Sequence, residues 1–248
     1  MKLAQEYYQI VSGIFEKILQ KEVVNIEKAA EVIAQKIKED RLIHIFGTGG
    51  HSAIGAMEVF YRAGGLACIN PLFPPGISVI DSHPNTERIT GYAEKILDFY
   101  GVKEGDILIV VNVNGINAVT IDSALEGKKR GATIVAITSS DFSKNVPPGI
   151  PARHPSSKNL CDLGDIVVDT HVPVGDAVLQ IKGLELKIAS SSTLANCFVL
   201  NILMARVAEK LSEQGVKPPV WKSANVPGGD EENRAYLEKY KGRVFHLY

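Results

Sequence analysis

Apolar positions in this chain follow two different rhythms. Leu3, Tyr7, Ile10, Ile14 and Ile18 recur every three or four residues. Ile26, Ala29, Ala30, Ile33 and Ile37 repeat that spacing, with Asn25 as the expected N-cap. Both stretches predict amphipathic helices that cover a core or pair with another subunit. Beyond them the apolar residues become continuous, in runs at 42–46, 66–70, 107–111, 133–137 and 166–169. Unbroken runs of this length read as strands buried on both faces, which is the condition inside a parallel sheet. Between and after them, helical spacing returns over roughly 52–63, 86–100, 118–131, 193–214 and 231–240. Strands alternating with helices predict a doubly wound α/β sheet.

The links between strands and helices carry the candidate chemistry. The first strand runs into Gly47-Thr-Gly-Gly-His-Ser52, and the third into Asn112-Val-Asn-Gly-Ile-Asn117. In a parallel sheet such turns lie at the carboxyl ends of the strands, where open α/β folds bind ligands. They also leave backbone N–H groups free at a helix N-terminus, which suits an anion such as phosphate. Most βα loops bind nothing, so either loop alone is weak evidence. The first is not a dinucleotide fingerprint. Ser52 stands where G-x-G-x-x-G needs its third glycine, and the second strand ends in Asn70 rather than an acidic residue. That argues against a nicotinamide cofactor, whereas the Ser52 hydroxyl fits a lone phosphate.

Several polar residues add alternatives. His51, Gly55, Glu58 and Arg62 share one helix face. Glu58 is a general base there, or it is half of a surface i,i+4 pair. The irregular stretch from 71 to 84 holds Asp81 and His83, a weak metal pair, and no metal is expected. Arg153-His-Pro-Ser-Ser-Lys158 clamps an anionic substrate or a neighbouring subunit. Asp176, following Gly175, reads as a turn former. Ser190-Ser-Ser-Thr193 caps the long apolar helix. The tail after 216 contains Trp221 and is expected to dock on another subunit, because such tails order only when docked.

Composition narrows the function classes. The 248 residues, 45% of them hydrophobic, suffice for one large α/β domain. With 27 basic and 28 acidic residues the formal charge is −1, so nothing points to nucleic acid. Cys68, Cys161 and Cys197 are far apart, which argues for a reducing cytoplasm over a disulfide framework. No run is long enough to cross a bilayer, and no signal-peptide core is visible.

Taken in order, these segments resemble the sugar isomerase (SIS) domain family. Phe46-Gly-Thr-Gly-Gly-His-Ser52 resembles its first glycine loop. Val111-Asn-Val-Asn-Gly-Ile-Asn117 with the following helix and strand resembles its central phosphate loop, and 190–211 its closing helix. Arg153–Lys158, Pro173-Val-Gly-Asp-Ala177 and Ser223-Ala-Asn with Gly-Gly-Asp-Glu-Glu-Asn233 resemble the bacterial UPF0309 group, whose members are often described as phosphosugar or phosphoheptose isomerases.

The resemblance implies one α/β domain over 1–248: N-terminal helices over 1–40, a core over 41–215 and a tail over 216–248. The core would be a three-layer αβα sandwich around a five-stranded, flavodoxin-like parallel sheet. It implies a sugar phosphate held by Gly49, Gly50, His51, Ser52, Asn112, Asn114, Gly115 and Asn117, with Ser191 and Ser192 at the closing helix, and the cationic cluster adds Arg153 as a further candidate ligand. It implies an aldose–ketose isomerase working through an enediolate, without a cofactor, as a homodimer or homotetramer. In that reading Glu58 is the base, His51 or His83 donates a proton, and Glu185 is a reserve base. A phosphosugar-sensing module and an amino-sugar-phosphate lyase or etherase are the rival readings. Two departures stand out. Asn114 and Asn117 replace hydroxyl residues, and phosphoheptose isomerases carry a His and a Glu on the first helix where this chain has Glu58 and Arg62.

Overall fold

The computed structural model describes residues 1–81, 83 and 85–247. Helices α1 (Lys2–Lys21) and α2 (Val23–Lys38) meet at Glu22, which is buried and takes the Asn25 amide at 2.9 Å. Glu22 rather than Asn25 is thus the N-cap of α2. The core follows as β1 (Ile43–Gly47), α3 (Gly50–Val59), β2 (Ile69–Pro71), a 3-10 turn at Thr86–Arg88, α4 (Tyr92–Phe99), β3 (Ile107–Val111), α5 (Ala118–Lys129) and β4 (Thr133–Thr138). Then come α6 (Ser140–Asn145), α7 (Leu160–Leu163), β5 (Ile166–Asp169), β6 (Ala177–Leu179), β7 (Ile188–Ser190), α8 (Ser192–Glu213) and α9 (Gly229–Tyr240).

Strands β1 to β5 form one parallel sheet in the order β2-β1-β3-β4-β5. Side chains alternate across it. Ile43, Ile45, Ile107, Ile109, Val135 and Ile137 pack on α1, α2, α3 and α8, whereas Phe46, Leu108, Val110, Ile134 and Ala136 pack on α4 and α5. This is the three-layer, flavodoxin-like sandwich expected, with two extra N-terminal helices. The chain reverses direction across the sheet between β1 and β3, the switch point where such sheets place ligands.

Three expectations shift. The helix expected over 86–100 is a 3-10 turn and α4, separated by Gly91 in a left-handed conformation (φ 80°). The stretch read as loop before α8 contains a two-stranded antiparallel ribbon, β6 with β7. The tail packs on its own chain. Trp221 N–H bonds Gly65 O at 2.9 Å, Phe245 N–H bonds Asn70 Oδ1 at 2.9 Å, and Arg243 reaches Asp40 at 3.0 Å. Asn70 turns its amide N–H to His44 Nδ1 at 3.2 Å, which leaves the buried His44 to face Asp106 through Nε2. Burial satisfied in this way holds the tail's Val244 and Leu247 in the core.

Candidate functional site

Gly47 ends β1 so tightly that a Cβ there would overlap the Ser52 carbonyl. Only glycine lets the strand turn at once into α3. Gly49 caps the helix in extended conformation, and Gly50 N–H, the first free donor of α3, bonds Glu87 Oε1 at 3.0 Å. A Cβ on Gly49 would lie 3.1 Å from Asn112 Nδ2 and 3.3 Å and 3.4 Å from the Glu87 oxygens. Donor and carboxylate therefore converge over a single glycine. The segment bearing Glu87 is held by Gly91 N–H, which bonds Asp122 Oδ2 at 2.8 Å, while His154 Nε2 lies 3.1 Å from Asp122 Oδ1.

In the central loop the asparagines do what shorter hydroxyl residues do less well. Asn112 Oδ1 accepts from Gly115 N at 3.0 Å, and Asn114 Oδ1 accepts from Ile116 N at 3.1 Å. Each carboxamide thereby caps the loop with its oxygen. Neither Nδ2 has a partner among the described residues, and both side chains line a cavity of about 230 Å³. Gly50, His51, Ser52 and Glu87 line it from the first loop and the 3-10 turn; Phe142, Asp176 and Ser192 close the opposite side. Ser52 is only 7% exposed, and its hydroxyl makes no hydrogen bond among the described residues. A larger hollow of about 380 Å³ beside Tyr61 and Trp221 lies away from the strand ends and gathers none of these groups.

Among the described residues no lysine or arginine lines the smaller cavity; its carboxylates are Glu87 and Asp176, with the His51 imidazole beside them. Burial pushes the Glu87 carboxyl above the usual range, against the downward pull of Gly50 N–H, Arg88 and His51. Among the described residues no three His, Cys, Asp or Glu side chains gather as metal ligands.

The structure brings Gly49, Gly50, His51, Ser52, Asn112, Asn114 and Ser192 together at the cavity. Others stand apart. Glu58 pairs with Arg62 and takes the Asn201 amide at 3.2 Å, about 12 Å along α3 from Gly50 by helical rise. It belongs to the surface pair, not the cavity. Arg153 donates to Ser143 O at 2.6 Å, Val146 O at 2.9 Å, Ser157 O at 3.2 Å and Asn159 Oδ1 at 2.8 Å. It holds its own loop together and has little left for an anion. Asn117 donates to Ala152 O at 3.0 Å, Gly115 packs under Leu160, and Ser191 is buried beneath Asp176. His83 is exposed, its Nδ1 taking Asn85 N–H at 3.2 Å, and Glu185 is exposed in the turn between β6 and β7. Glu87 and Asp176 are the site residues that sequence reasoning passed over. The signal for Glu87 was Gly91, which breaks the apparent helix; for Asp176 it was the serine pair fifteen residues on.

Comparison with known proteins agrees with this architecture. Residues 6–139 match the SIS domain. A UPF0309 protein of Shouchella clausii is 35% identical over 252 residues, covering all of both chains. The phosphoheptose isomerase GmhA of Neisseria gonorrhoeae superposes with a TM-score of 0.58 at 14% identity, over 84% of this chain and 98% of that one. The sugar isomerase domain of an RpiR transcription factor from Sphaerobacter thermophilus superposes with a TM-score of 0.50 at 18% identity, over 98% and 99%. At those identities the superpositions establish the fold. Among the described residues no helix is long and apolar enough to cross a membrane. By sequence match and by fold, the chain belongs to the SIS-domain family and, within it, to the UPF0309 proteins.

Proposed function

We propose that this protein binds a phosphorylated sugar in the cavity at the ends of β1 and β3 and interconverts its aldose and ketose forms. One observation carries the reading. Donors on Ser52, Asn112 and Asn114, unpartnered among the described residues, converge at the switch point of the sheet with the half-buried carboxylate of Glu87, the cavity's second carboxylate, Asp176, being engaged by Ser191 and Ser192. The cavity volume suits one sugar unit rather than a dinucleotide. The names of the phosphoheptose isomerases that share the fold support the same ligand class.

In the proposed reaction Glu87 takes the proton from the carbon beside the carbonyl. The electron pair shifts toward the carbonyl oxygen, and the enediolate that results is met by the amide donors of Asn112 and Asn114. Glu87 returns the proton to the adjacent carbon, while His51 relays the proton between the two oxygens. A carboxyl group raised by burial is a stronger base than an exposed one, which suits this task. Glu58 has no part in it, being engaged by Arg62 outside the cavity.

The test is a thermal-shift panel of sugar phosphates, the matching free sugars, and amino-sugar phosphates, followed by turnover of any compound that stabilises. A ligand at a hundred times its Kd adds roughly 2.7 kcal/mol. Stabilisation by no phosphorylated sugar sinks the proposal. Binding without turnover leaves the sensing role, and consumption of an amino-sugar phosphate without isomerisation leaves the lyase or etherase. The assignment extends to a cytoplasmic homodimer or homotetramer, resting on the scattered cysteines and the amphipathic N-terminal helices.

A further inference from the structure

The far wall of the cavity holds an arrangement that the proposed chemistry does not use. Asp176 Oδ1 accepts from Ser191 N at 2.8 Å, from Ser192 N at 2.7 Å and from Ser191 Oγ at 3.3 Å. Its Oδ2 accepts from Ser192 Oγ at 2.7 Å. Two backbone N–H groups and two hydroxyls at the start of a 22-residue helix form a receptor for an anion, and one carboxylate fills it. The carboxylate is not local to the helix. It comes from the turn before β6, where Gly175 and Asp176 are both left-handed, with φ of 86° and 65°. Aspartate is among the few residues besides glycine that adopt that backbone at modest cost.

Other groups on the cavity point to a ligand. Asn112, 2% exposed, and Ser52 face it with donors unpartnered among the described residues. Apart from the bonds of Asp176 to α8, which include Ser191 Oγ to the Asp176 carbonyl at 3.1 Å, the turn over 173–176 is lightly held. Its internal bonds are Asp176 N to Pro173 O at 3.0 Å and Ala177 N to Gly175 O at 2.7 Å, and Val174 is exposed. A segment with so few buried contacts opens more readily than the sheet beside it.

We infer that Asp176 is an internal stand-in for the anionic group of the ligand: the free protein keeps its own carboxylate in the receptor at the start of α8, and a phosphate-bearing ligand binds by displacing it. This rests on the phosphosugar reading and adds how that site is kept closed. Simple anions bind weakly, because each must evict a carboxylate already held by two backbone N–H groups and the Ser192 hydroxyl. A sugar phosphate succeeds because its sugar gains the donors of Ser52, Asn112 and Asn114. Eviction frees the 173–176 turn.

The test uses the full-length ¹⁵N-labelled protein titrated with inorganic phosphate and, separately, with sulfate. Amide shifts of Gly50, Asn112, Ser191 and Ser192 are followed, and hydrogen exchange is read over 173–177. D176N, which keeps an acceptor but loses the charge, is expected to bind both ions about tenfold tighter or more, within the usual span of couplings between neighbouring sites. In the parent protein, saturating phosphate is expected to move the Ser191 and Ser192 amides and to speed exchange over 173–177. If D176N does not fold, the parent titration and exchange decide alone. Equal affinity in D176N and parent overturns the inference. So does a parent whose 173–177 protection is unchanged at saturation. Shifts at Gly50 and Asn112 without any at Ser191 and Ser192 overturn it while leaving the phosphosugar reading intact. No shift at any of the four counts against both.

Discussion

At Gly47 and Glu87 one atom or one proton decides what the site can do. Gly47→Ala sets a methyl group against the Ser52 carbonyl, and only a shift of α3 relieves the overlap. Overpacking of this kind is expected to cost on the order of 3 kcal/mol, read as a lower urea midpoint. Glu87→Gln keeps an acceptor for Gly50 N–H but removes the base, so turnover of the true substrate is expected to fall about a hundredfold or more. In the parent, kcat/KM is expected to decline on the acid side at a pH above that of an ordinary glutamate, because burial raises the Glu87 carboxyl. The sign for stability is opposite to that of a paired carboxylate. The folded state holds the Glu87 proton more tightly than the unfolded chain, so ionisation weakens the fold as pH rises through the folded value. Glu87→Gln is accordingly expected to be no less stable than the parent at pH 8 by thermal melting. The glycine loops and the two asparagines were legible in the sequence because their chemistry is local. Glu87 and Asp176 were not, since each acts on a helix it does not belong to, 37 and 15–16 residues away. The Glu58–Arg62 spacing is as compatible with a base as with a surface pair, and only its place in the fold, paired with Arg62 along α3 from the cavity, separates the two.

The strands were the easiest elements to read, since residues buried on both faces leave no polar position to confuse the period. The ribbon was the hardest: strands of three residues are too short to show alternation. Helices α2 and α8 illustrate what no local pattern reveals, the charge pairing between elements. Arg206 bonds both Glu27 oxygens, Nε to Oε1 at 2.5 Å and Nη2 to Oε2 at 3.1 Å, and Lys210 reaches Glu27 and Glu31 at 3.1 Å and 3.0 Å. The Arg206 guanidinium, and next the Lys210 ammonium, lower the Glu27 carboxyl to about 2. A lowered carboxylate stabilises the fold above its unfolded value, and the contribution fades as pH falls toward the folded one. Glu27→Gln is therefore expected to be less stable than the parent at pH 6. The gap, under about 1 kcal/mol for so exposed a pair, should close between pH 4.5 and 2 in denaturation experiments.

At the scale of the whole molecule the tail departs furthest from its expectation, packing on its own chain rather than on another subunit. Its docking depends on single residues far back in the chain, Asp40, Asn70 and Tyr100, that no periodicity marks as partners. His246 Nε2 lies 2.9 Å from the Tyr100 hydroxyl, and burial lowers the His246 pKa. A depressed histidine supports the fold above its unfolded value near 6.5 and withdraws that support as pH falls through the folded one. The protection of the 241–247 amides, corrected for the intrinsic slowing of exchange in acid, is expected to fall as pH drops below 6.5, and His246→Gln should remove that dependence. The proposed assembly has its own check, since light scattering should return two or four times the mass of one chain. The tail's position at the sheet edge also fixes how the molecule would bear a load. Tension applied near residue 247 falls first on a few side-chain bonds that close spans of 146, 175 and 203 residues. These peel singly, whereas the parallel strands behind them must shear together. A pulling experiment should show a short, low-force lengthening before the main rupture, with the sheet still intact between the two.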